Sequence, residues 1–580
     1  MPMASPQSEL ASALRACRNA FVGVALLSGV SNVLMLTGAL FMLEVYDRVL
    51  PSRSMPTLIG LGVLAGILYG FLGLIDMIRG RLMTRVGNSL DESLSGRIYD
   101  TIVRLPLKLG GLNDGMQPLR DIDNVRSFLS GLGPIALFDL PWMPLYLGIC
   151  YLLHPWIGLT ALGGAGLLFV LTLLTEVLVR GPTRRATGLA VTRRVLAETS
   201  RRNADVIVAM GMSARLQERW SDINAKYLIT QQRASDLAGG LGALSRVLRL
   251  ILQSGVLAVG AYLVIHEEAT AGIIIAGSIL AARALAPVDL AIANWRAFVA
   301  CRQSWARLSK LLALMPMPGQ VLTLPVPTQT VTVEGASIVP PGATKLAVQD
   351  VKLTLRSGDG LGIIGPSASG KSSLAKMLVG AWQPSHGKVC LDGAALDQWT
   401  PDALGRHIGY LPQEVELLAG TVAENICRFE PGQNSEAIVA AAKAAGAHDM
   451  IASLNDGYEM QVGEQGASLS AGQRQWIALA RALYRDPFFV VLDEPNSNLD
   501  STGEEALTRA MLGVRHRGGI VVVVAHRPSA LAAVDLTLVL NQGRVQAFGP
   551  RDEILAKVLR RDPVLPRPLK VVVDKDVVSS

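Results

Sequence analysis

The sequence runs to 580 residues, half of them hydrophobic and only 17% charged, with 54 Lys and Arg against 47 Asp and Glu for a formal charge of +7. A chain of this size has room for more than one domain and is too apolar for an ordinary soluble enzyme, so a membrane class comes first. The positive excess sits beside apolar segments, where cytoplasmic loops of membrane proteins collect arginine, and this argues against nucleic acid as a partner. Cys17, Cys150, Cys301, Cys390 and Cys427 lie far apart with no C-x-x-C pair. That scatter suggests neither a zinc site nor a disulfide framework and fits a reducing compartment.

Residues 1–19 read as an N-terminal cytoplasmic segment carrying Arg15 and Arg18. The apolar stretch 20–43 that follows is longer than a signal-peptide core and has no clear small-residue cleavage site, so it reads as a retained first span. A bilayer core needs about 20 mostly apolar helical residues. Five further stretches meet that length: 57–78, 134–153, 157–179, 247–265 and 271–292. Short turns join spans one to two, three to four and five to six. The other two gaps are long and charged, one holding Arg79, Arg81, Arg85, Arg97, Arg104, Arg120 and Arg126, the other Arg180, Arg184, Arg185, Arg193, Arg194, Arg201 and Arg202. The positive-inside rule places both segments, and both chain ends, in the cytoplasm. With no proline and few glycines over 191–237, these segments are expected to prolong the membrane helices rather than form a separate domain.

Within the spans, Arg283 and Asp139 stand out. A charge at mid-bilayer costs about 2.5–3.5 kcal/mol on insertion scales, so each is expected to face a bundle interior or a wet cavity. A polar lining for a substrate path and a structural ion pair between helices both satisfy that. Prolines in DLPW (139–142) and LAP (285–287) are expected to bend their helices. The membrane domain so read covers 20–314. The proline-rich run MPMPGQVLTLPVP begins the linker over 315–330, and a soluble domain occupies 331–560. There, apolar runs such as LGIIG, FFVVLDE and IVVVVAH alternate with helical patterns, which predicts a largely parallel, helix-covered α/β sheet. Residues 561–580 read as a C-terminal tail.

The segment GPSASGKS (365–372) fits the P-loop pattern, follows a strand at 361–364 and opens a helix. Gly365, Pro366, Ser367, Ala368, Ser369, Gly370, Lys371, Ser372 and Ser373 form the candidate phosphate cradle. Its glycines let main-chain amides wrap phosphate oxygens, Lys371 reaches the terminal phosphates and Ser372 suits Mg²⁺. Further on, FFVVLDE (488–494) is a buried strand ending in two carboxylates, one suited to a Mg²⁺ shell and its neighbour to polarising an attacking water. Between them lies LSAGQ (469–473).

That last segment departs by one residue from the LSGGQ signature of ABC ATPases, the family this domain resembles. The resemblance implies ATP and Mg²⁺ as cofactors. It makes Glu494 the catalytic base, Gln413 of YLPQE the glutamine that senses both Mg²⁺ and the attacking water, and His526 of VVAHR the switch histidine. Asp493, with Ser372 and Gln413, becomes part of the metal site, and 497–500 the loop that communicates across a dimer. Ser470, Gly472 and Gln473 are then expected to cap ATP held by a second copy, so that each chain carries two half-sites and works as a homodimer. VGEQG (462–466) resembles the coupling loop of exporters. Two departures mark this sequence: Ala471 replaces a glycine, and GASIVPPGATKL (335–346) offers no aromatic to stack on adenine.

A six-span helical membrane domain followed by an α/β P-loop nucleotide-binding domain in one chain resembles the exporter branch. The segments MLEVYDRVL (42–50), LFDLPWMP (137–144) with HPW (154–156), and AARALAPVDL (281–290) with ANW (293–295) resemble the ATPase/permease of bacterial type I secretion systems of the protease and lipase group. That resemblance implies export of an unfolded polypeptide with a C-terminal signal, through a membrane-fusion adaptor and an outer-membrane channel, from the bacterial inner membrane. With only a short lead before the first span, no N-terminal peptidase-like domain is expected. An exporter of lipid, drug or small peptide is the alternative; a non-transporting ATPase is disfavoured by the six spans.

Overall fold

The computed structural model describes residues 7–110, 115–315, 324–525 and 528–559. The chain divides into two compact units, Met1–Leu105 with Asn113–Pro316, and Pro106–Leu112 with Met317–Ser580. The linker expected at 315–330 falls partly, and the tail at 561–580 wholly, outside the described residues.

The first unit is helical. Its helices are α1 (Gln7–Ala16), α2 (Arg18–Leu34), α3 (Thr37–Glu44), α4 (Leu50–Ser52), α5 (Met55–Leu109), α6 (Gln117–Leu129) and α7 (Leu132–Asp139). They continue as α8 (Met143–Leu153), α9 (Pro155–Arg202), α10 (Ala204–Ala209), α11 (Ser213–Ile265), α12 (Ala271–Ala293) and α13 (Trp295–Leu314). Among the described residues six helical stretches are long and apolar enough to cross a membrane, and each contains one of the six stretches read from the sequence. The 55 residues of α5 extend about 80 Å at 1.5 Å per residue, far beyond a bilayer core. Along α5, Ile59, Val63, Ile67, Phe71 and Leu74 stay exposed at helical spacing, an apolar face suited to lipid rather than water.

Local chemistry sets the helix ends. The first span finishes in a π-helical turn, Val45–Val49, and stops at Arg53 in left-handed conformation, after which the Ser54 hydroxyl accepts from Thr57 N at the start of α5. His154 is extended and accepts from Trp156 N, and Pro155 takes the first helical position of α9, where a missing N–H is harmless. Thr270 caps α12 in the same way. DLPW does interrupt its helix, as a 3₁₀ turn over Leu140–Trp142, whereas α12 runs unbroken through Pro287.

The membrane motifs turn out to be polar joints between helices. Asp47 accepts from Gly272 N and Thr270 Oγ1, fastening the first span to the start of α12. Asp139 accepts from Arg79 Nη1 at 3.1 Å and from Asn32 Nδ2 at 2.9 Å, while the Tyr146 hydroxyl donates to Asn32 O. Asp289 pairs with Arg249 at 2.9 Å and accepts from Ser245. Trp295 Nε1 donates to Glu176. Arg79 therefore departs from the sequence reading. Grouped there with the arginines of a charged cytoplasmic segment, it is only 4% exposed and locked inside the bundle, because a buried carboxylate on a neighbouring span demands a cation. Of the two readings open for Asp139, the ion pair is the one found. Arg283 differs: it is exposed, has no hydrogen bond or ion pair among the described residues, and is flanked by buried Ala281, Ala284 and Leu285.

The second unit contains two sheets. Strands β1 (Thr330–Ile338), β2 (Val348–Arg356), β4 (His386–Leu391) and β5 (Ala394–Ala395) make an antiparallel sheet in the order β2-β1-β4-β5, which the sequence reading did not anticipate. The second sheet, built from β3 (Gly360–Ile364), β6 (Ile408–Leu411), β7 (Phe489–Asp493), β8 (Ile520–Val524), β9 (Leu536–Asn541) and β10 (Arg544–Pro550), runs β10-β9-β3-β8-β7-β6. Its strands β9, β3, β8, β7 and β6 are parallel, and only β10 is antiparallel. Strands β7 and β8 are buried along their whole length, which is why they read as unbroken apolar runs. Helices α14 (Lys371–Leu378), α15 (Pro401–His407), α16 (Val422–Ile426), α17 (Ser435–Ala445), α18 (His448–Ala452), α19 (Ala471–Leu483), α20 (Ser501–His516) and α21 (Arg551–Leu559) complete the unit.

Candidate nucleotide site

Parallel pairing of β3, β8, β7 and β6 brings their carboxyl ends to one edge of the sheet. The loop from Gly365 follows β3, Glu494 follows β7, and Gln413 lies two residues past β6. Loops at this edge are where open α/β sheets bind ligands. Gly365 and Glu494, 129 positions apart in sequence, thus converge through strand order. Gln413 is exposed there and makes no side-chain hydrogen bond among the described residues. His526 lies outside the described residues.

The loop after β3 needs its glycines. A Cβ on Gly365 would come within 2.0 Å of Leu540 O, and Gly370 combines φ +101° with a Cβ position 2.5 Å from Ala347 O. Ala368 is also left-handed, at φ +61°. Lys371 opens α14, and its Nζ donates to Gly365 O and Pro366 O, both at 2.9 Å. Burial pulls its pKa below the usual lysine range, partly offset by Glu494 and Asp493. An ammonium held by neutral carbonyls keeps its full charge available to an incoming phosphate. Ser367 and Ser373 belong to this cradle, and Ser369 is buried with its hydroxyl unpartnered among the described residues.

Asp493 ends β7 at 1% exposure. Its Oδ1 accepts from Ser372 Oγ at 3.3 Å, and its Oδ2 is buried without a hydrogen-bond partner among the described residues. Burial raises its pKa above the ordinary aspartate range, with Glu494 pushing the same way and the Ser372 hydroxyl and Lys376 opposing. A buried carboxylate oxygen beside a serine hydroxyl, both hard oxygen donors, suits a Mg²⁺ ion. Glu494 follows at φ +52°, its N–H donating to Val524 O at 3.1 Å. Two further groups nearby were not legible in the sequence. The Tyr410 hydroxyl on β6 and Asn496 Nδ2 are both buried without a hydrogen-bond partner among the described residues, and Tyr410 pairs in register with Val491 two residues before Asp493.

The LSAGQ segment begins α19 as a capping box. The Ser470 hydroxyl accepts from Gln473 N at 3.2 Å, and Gln473 Oε1 accepts from Ser470 N at 2.9 Å. Ala471 is exposed, so its methyl meets no crowding within the chain, while a Cβ on Gly472 would stand 3.2 Å from Asn498 O. One turn on, buried Gln475 donates to Pro495 O and accepts from Asn498 N, tying α19 to the loop after Glu494. Asp500 caps α20 through Gly503 N. Helix α19 packs on α16, α17 and β6, whereas α14 packs on β7, β8 and β1. Within one chain, the phosphate loop and LSAGQ are built on different neighbours.

Residues 348–497 match the family described as ABC transporter, and residues 21–287 match the ABC transporter transmembrane region. The type I secretion system ATP-binding protein PrsD of Rhizobium meliloti (strain 1021) is 59% identical over 550 residues, covering 95% of this chain and 94% of that protein. The cyclolysin secretion/processing ATP-binding protein CyaB of Bordetella pertussis is 30% identical over 544 residues, covering 92% of this chain and 75% of that protein. A solved bacterial Atm1-family ABC exporter with ATP bound superposes with a TM-score of 0.76 at 22% identity, covering 93% of this chain and 96% of that one, a likeness of fold.

Proposed function

The chain belongs to the ABC transporter family, and from that premise we infer that it is a multi-pass membrane ATPase that exports protein as the inner-membrane motor of a bacterial type I secretion system. The observation that carries this reading is the 59% identity to PrsD along nearly the whole of both chains, on a chain that joins six candidate spans to an ABC ATPase domain. The cargo is an unfolded polypeptide with a C-terminal signal, passed to a membrane-fusion adaptor and an outer-membrane channel.

Within the site, Gly365–Ser373 bind the phosphates of ATP and Lys371 exchanges its two carbonyl partners for phosphate oxygens. Ser372, Asp493 and Gln413 would hold Mg²⁺, which when bound neutralises phosphate charge. Glu494 accepts a proton from the attacking water, with Gln413 and His526 orienting water and γ-phosphate. Ser470, Gly472 and Gln473 complete the site of a second copy, so the working unit is a homodimer. Support for this comes from the separate packing of α14 and α19 within one chain. With no aromatic in 335–346, base stacking contributes less than phosphate contacts to nucleotide affinity.

The test is a deletion strain whose extracellular proteins are compared with those of the parent and of a strain carrying Glu494→Gln. Loss of one or more secreted proteins in both, restored only by the wild-type chain, is the expected result. An unchanged extracellular set with altered membrane lipid would overturn the protein-export reading in favour of a lipid exporter.

A further inference from the structure

The membrane unit carries a basic groove that the ATPase chemistry leaves unused. Cavities of about 780, 440 and 510 Å³ follow one another along α9. The first is walled by α9, α11, α12 and α13, and the other two add α6. They adjoin one another, Arg296 lining the first and second and Arg307 the second and third. Nine arginines line the run against two carboxylates, Asp123 and Asp289.

Structural pairing accounts for some of these arginines. Arg249 is held by Asp289, Arg302 by Glu176 and Arg307 by Asp121. Arg180, Arg184, Arg194, Arg246 and Arg296 are exposed and make no hydrogen bond or ion pair among the described residues. A topological role for positive charge asks only that it lie on the cytoplasmic side. It does not require guanidiniums to gather in one concavity, where low-dielectric walls focus their field. On α11, the lining residues Gly239 and Gly242 have nothing within 4 Å of a Cβ position, which leaves room for a main chain. From Arg180 to Arg194 the groove follows α9 for about 21 Å, the span of roughly six extended residues.

We propose that this groove docks an extended, carboxylate-rich stretch of the exported polypeptide, held by Arg184, Arg194, Arg246 and Arg296. The inference rests on the protein-export reading. Charge complementarity selects the occupant: planar guanidiniums match carboxylates in bidentate geometry, and an extended chain presents such groups at intervals along a groove of this length.

The test uses the full chain in nanodiscs and a fluorescent (Glu-Gly)₈ peptide, with (Lys-Gly)₈ as control, read by anisotropy. The acidic peptide should bind, weaken with salt, and lose at least ten-fold in affinity when all four arginines are changed to Gln. Lysine at the four positions should restore most of that loss, and the basic peptide should not bind. Undiminished binding by a Gln variant that elutes like wild type would overturn the proposal. So would a changed oligomeric size in the Gln variant, which would make the groove a contact between copies. Displacement of the peptide on adding phosphatidylglycerol would make it a lipid-headgroup site instead. Whether the wild-type chain exports any protein is scored separately in the deletion strain. A Gln variant that binds and exports like wild type therefore sinks the groove and leaves the export reading standing.

Discussion

The Ser372 hydroxyl donates to one oxygen of Asp493 over 3.3 Å, and the other oxygen of that carboxylate is buried with no hydrogen-bond partner among the described residues. Leaving a charged acceptor unsatisfied inside a protein is expensive unless a ligand completes it. Asp493→Asn and Ser372→Ala are expected to retain nucleotide binding in EDTA while losing the tightening that Mg²⁺ brings. Titration of a fluorescent ATP analogue with and without Mg²⁺ reads this directly; Mg²⁺-dependent tightening in Asp493→Asn at the wild-type level would remove Asp493 from the metal site.

Glu494 stands one residue beyond, at the open edge of the sheet. Replacing it with Gln keeps shape and removes the proton acceptor, so hydrolysis should fall by about 10²–10⁴-fold, the range general-base catalysis contributes. ATP binding should persist, and two copies should trap ATP between them. Phosphate release at the wild-type rate would take the base role from Glu494.

Gln475 joins the signature helix to the loop after Glu494 through two main-chain groups. Truncation to Ala leaves buried polar groups unpaired and should destabilise the nucleotide unit by about 1–3 kcal/mol. Hydrolysis should drop more than ATP binding, because the loop carrying Glu494 loses its brace. Thermal unfolding alongside single-turnover kinetics separates the two effects.

In the membrane unit, Asp139→Ala leaves the buried Arg79 guanidinium with only Asp76, 3.6 Å away, as counter-charge and should destabilise the fold by up to about 3–5 kcal/mol. Replacing both partners, as Arg79→Met with Asp139→Leu, should recover most of the folded abundance, measured by fluorescence-detected gel filtration in detergent. A double variant no better than the single would show that the pair does more than satisfy its own charges.

Arg283 gives the opposite expectation. Exposed and unpaired among the described residues, it can be changed to Ala with folded abundance unaltered, while export falls as its side chain meets cargo. Secretion and abundance measured in the same cells distinguish this from a structural role, which would lower both.

The P-loop, the paired carboxylates and the six spans were legible because each is written locally. A glycine pattern, a buried strand with an acidic end and an apolar stretch of bilayer length need no knowledge of distant residues. Tyr410 was not legible as a neighbour of Asp493, since register between β6 and β7 brings it there. The burial of Arg79 was not legible for a related reason. Its surroundings in sequence are a run of cytoplasmic-type arginines, and only the packing of a span 60 residues away turns it inward.

The sequence by itself determined the family, the order of the two domains, the span count and the identity of the phosphate loop, because those depend on composition and short-range spacing. Tertiary structure decided which charges are spent on holding helices together and which remain free. Asp47, Asp139 and Asp289 are each satisfied by a partner on another helix. Among the described residues, Arg184, Arg194, Arg246 and Arg296 are left without an ion pair along one groove, and Asp493 keeps one buried oxygen open. Pairing is a property of distance in space, and a charge becomes available to a ligand only when the fold has supplied no partner for it.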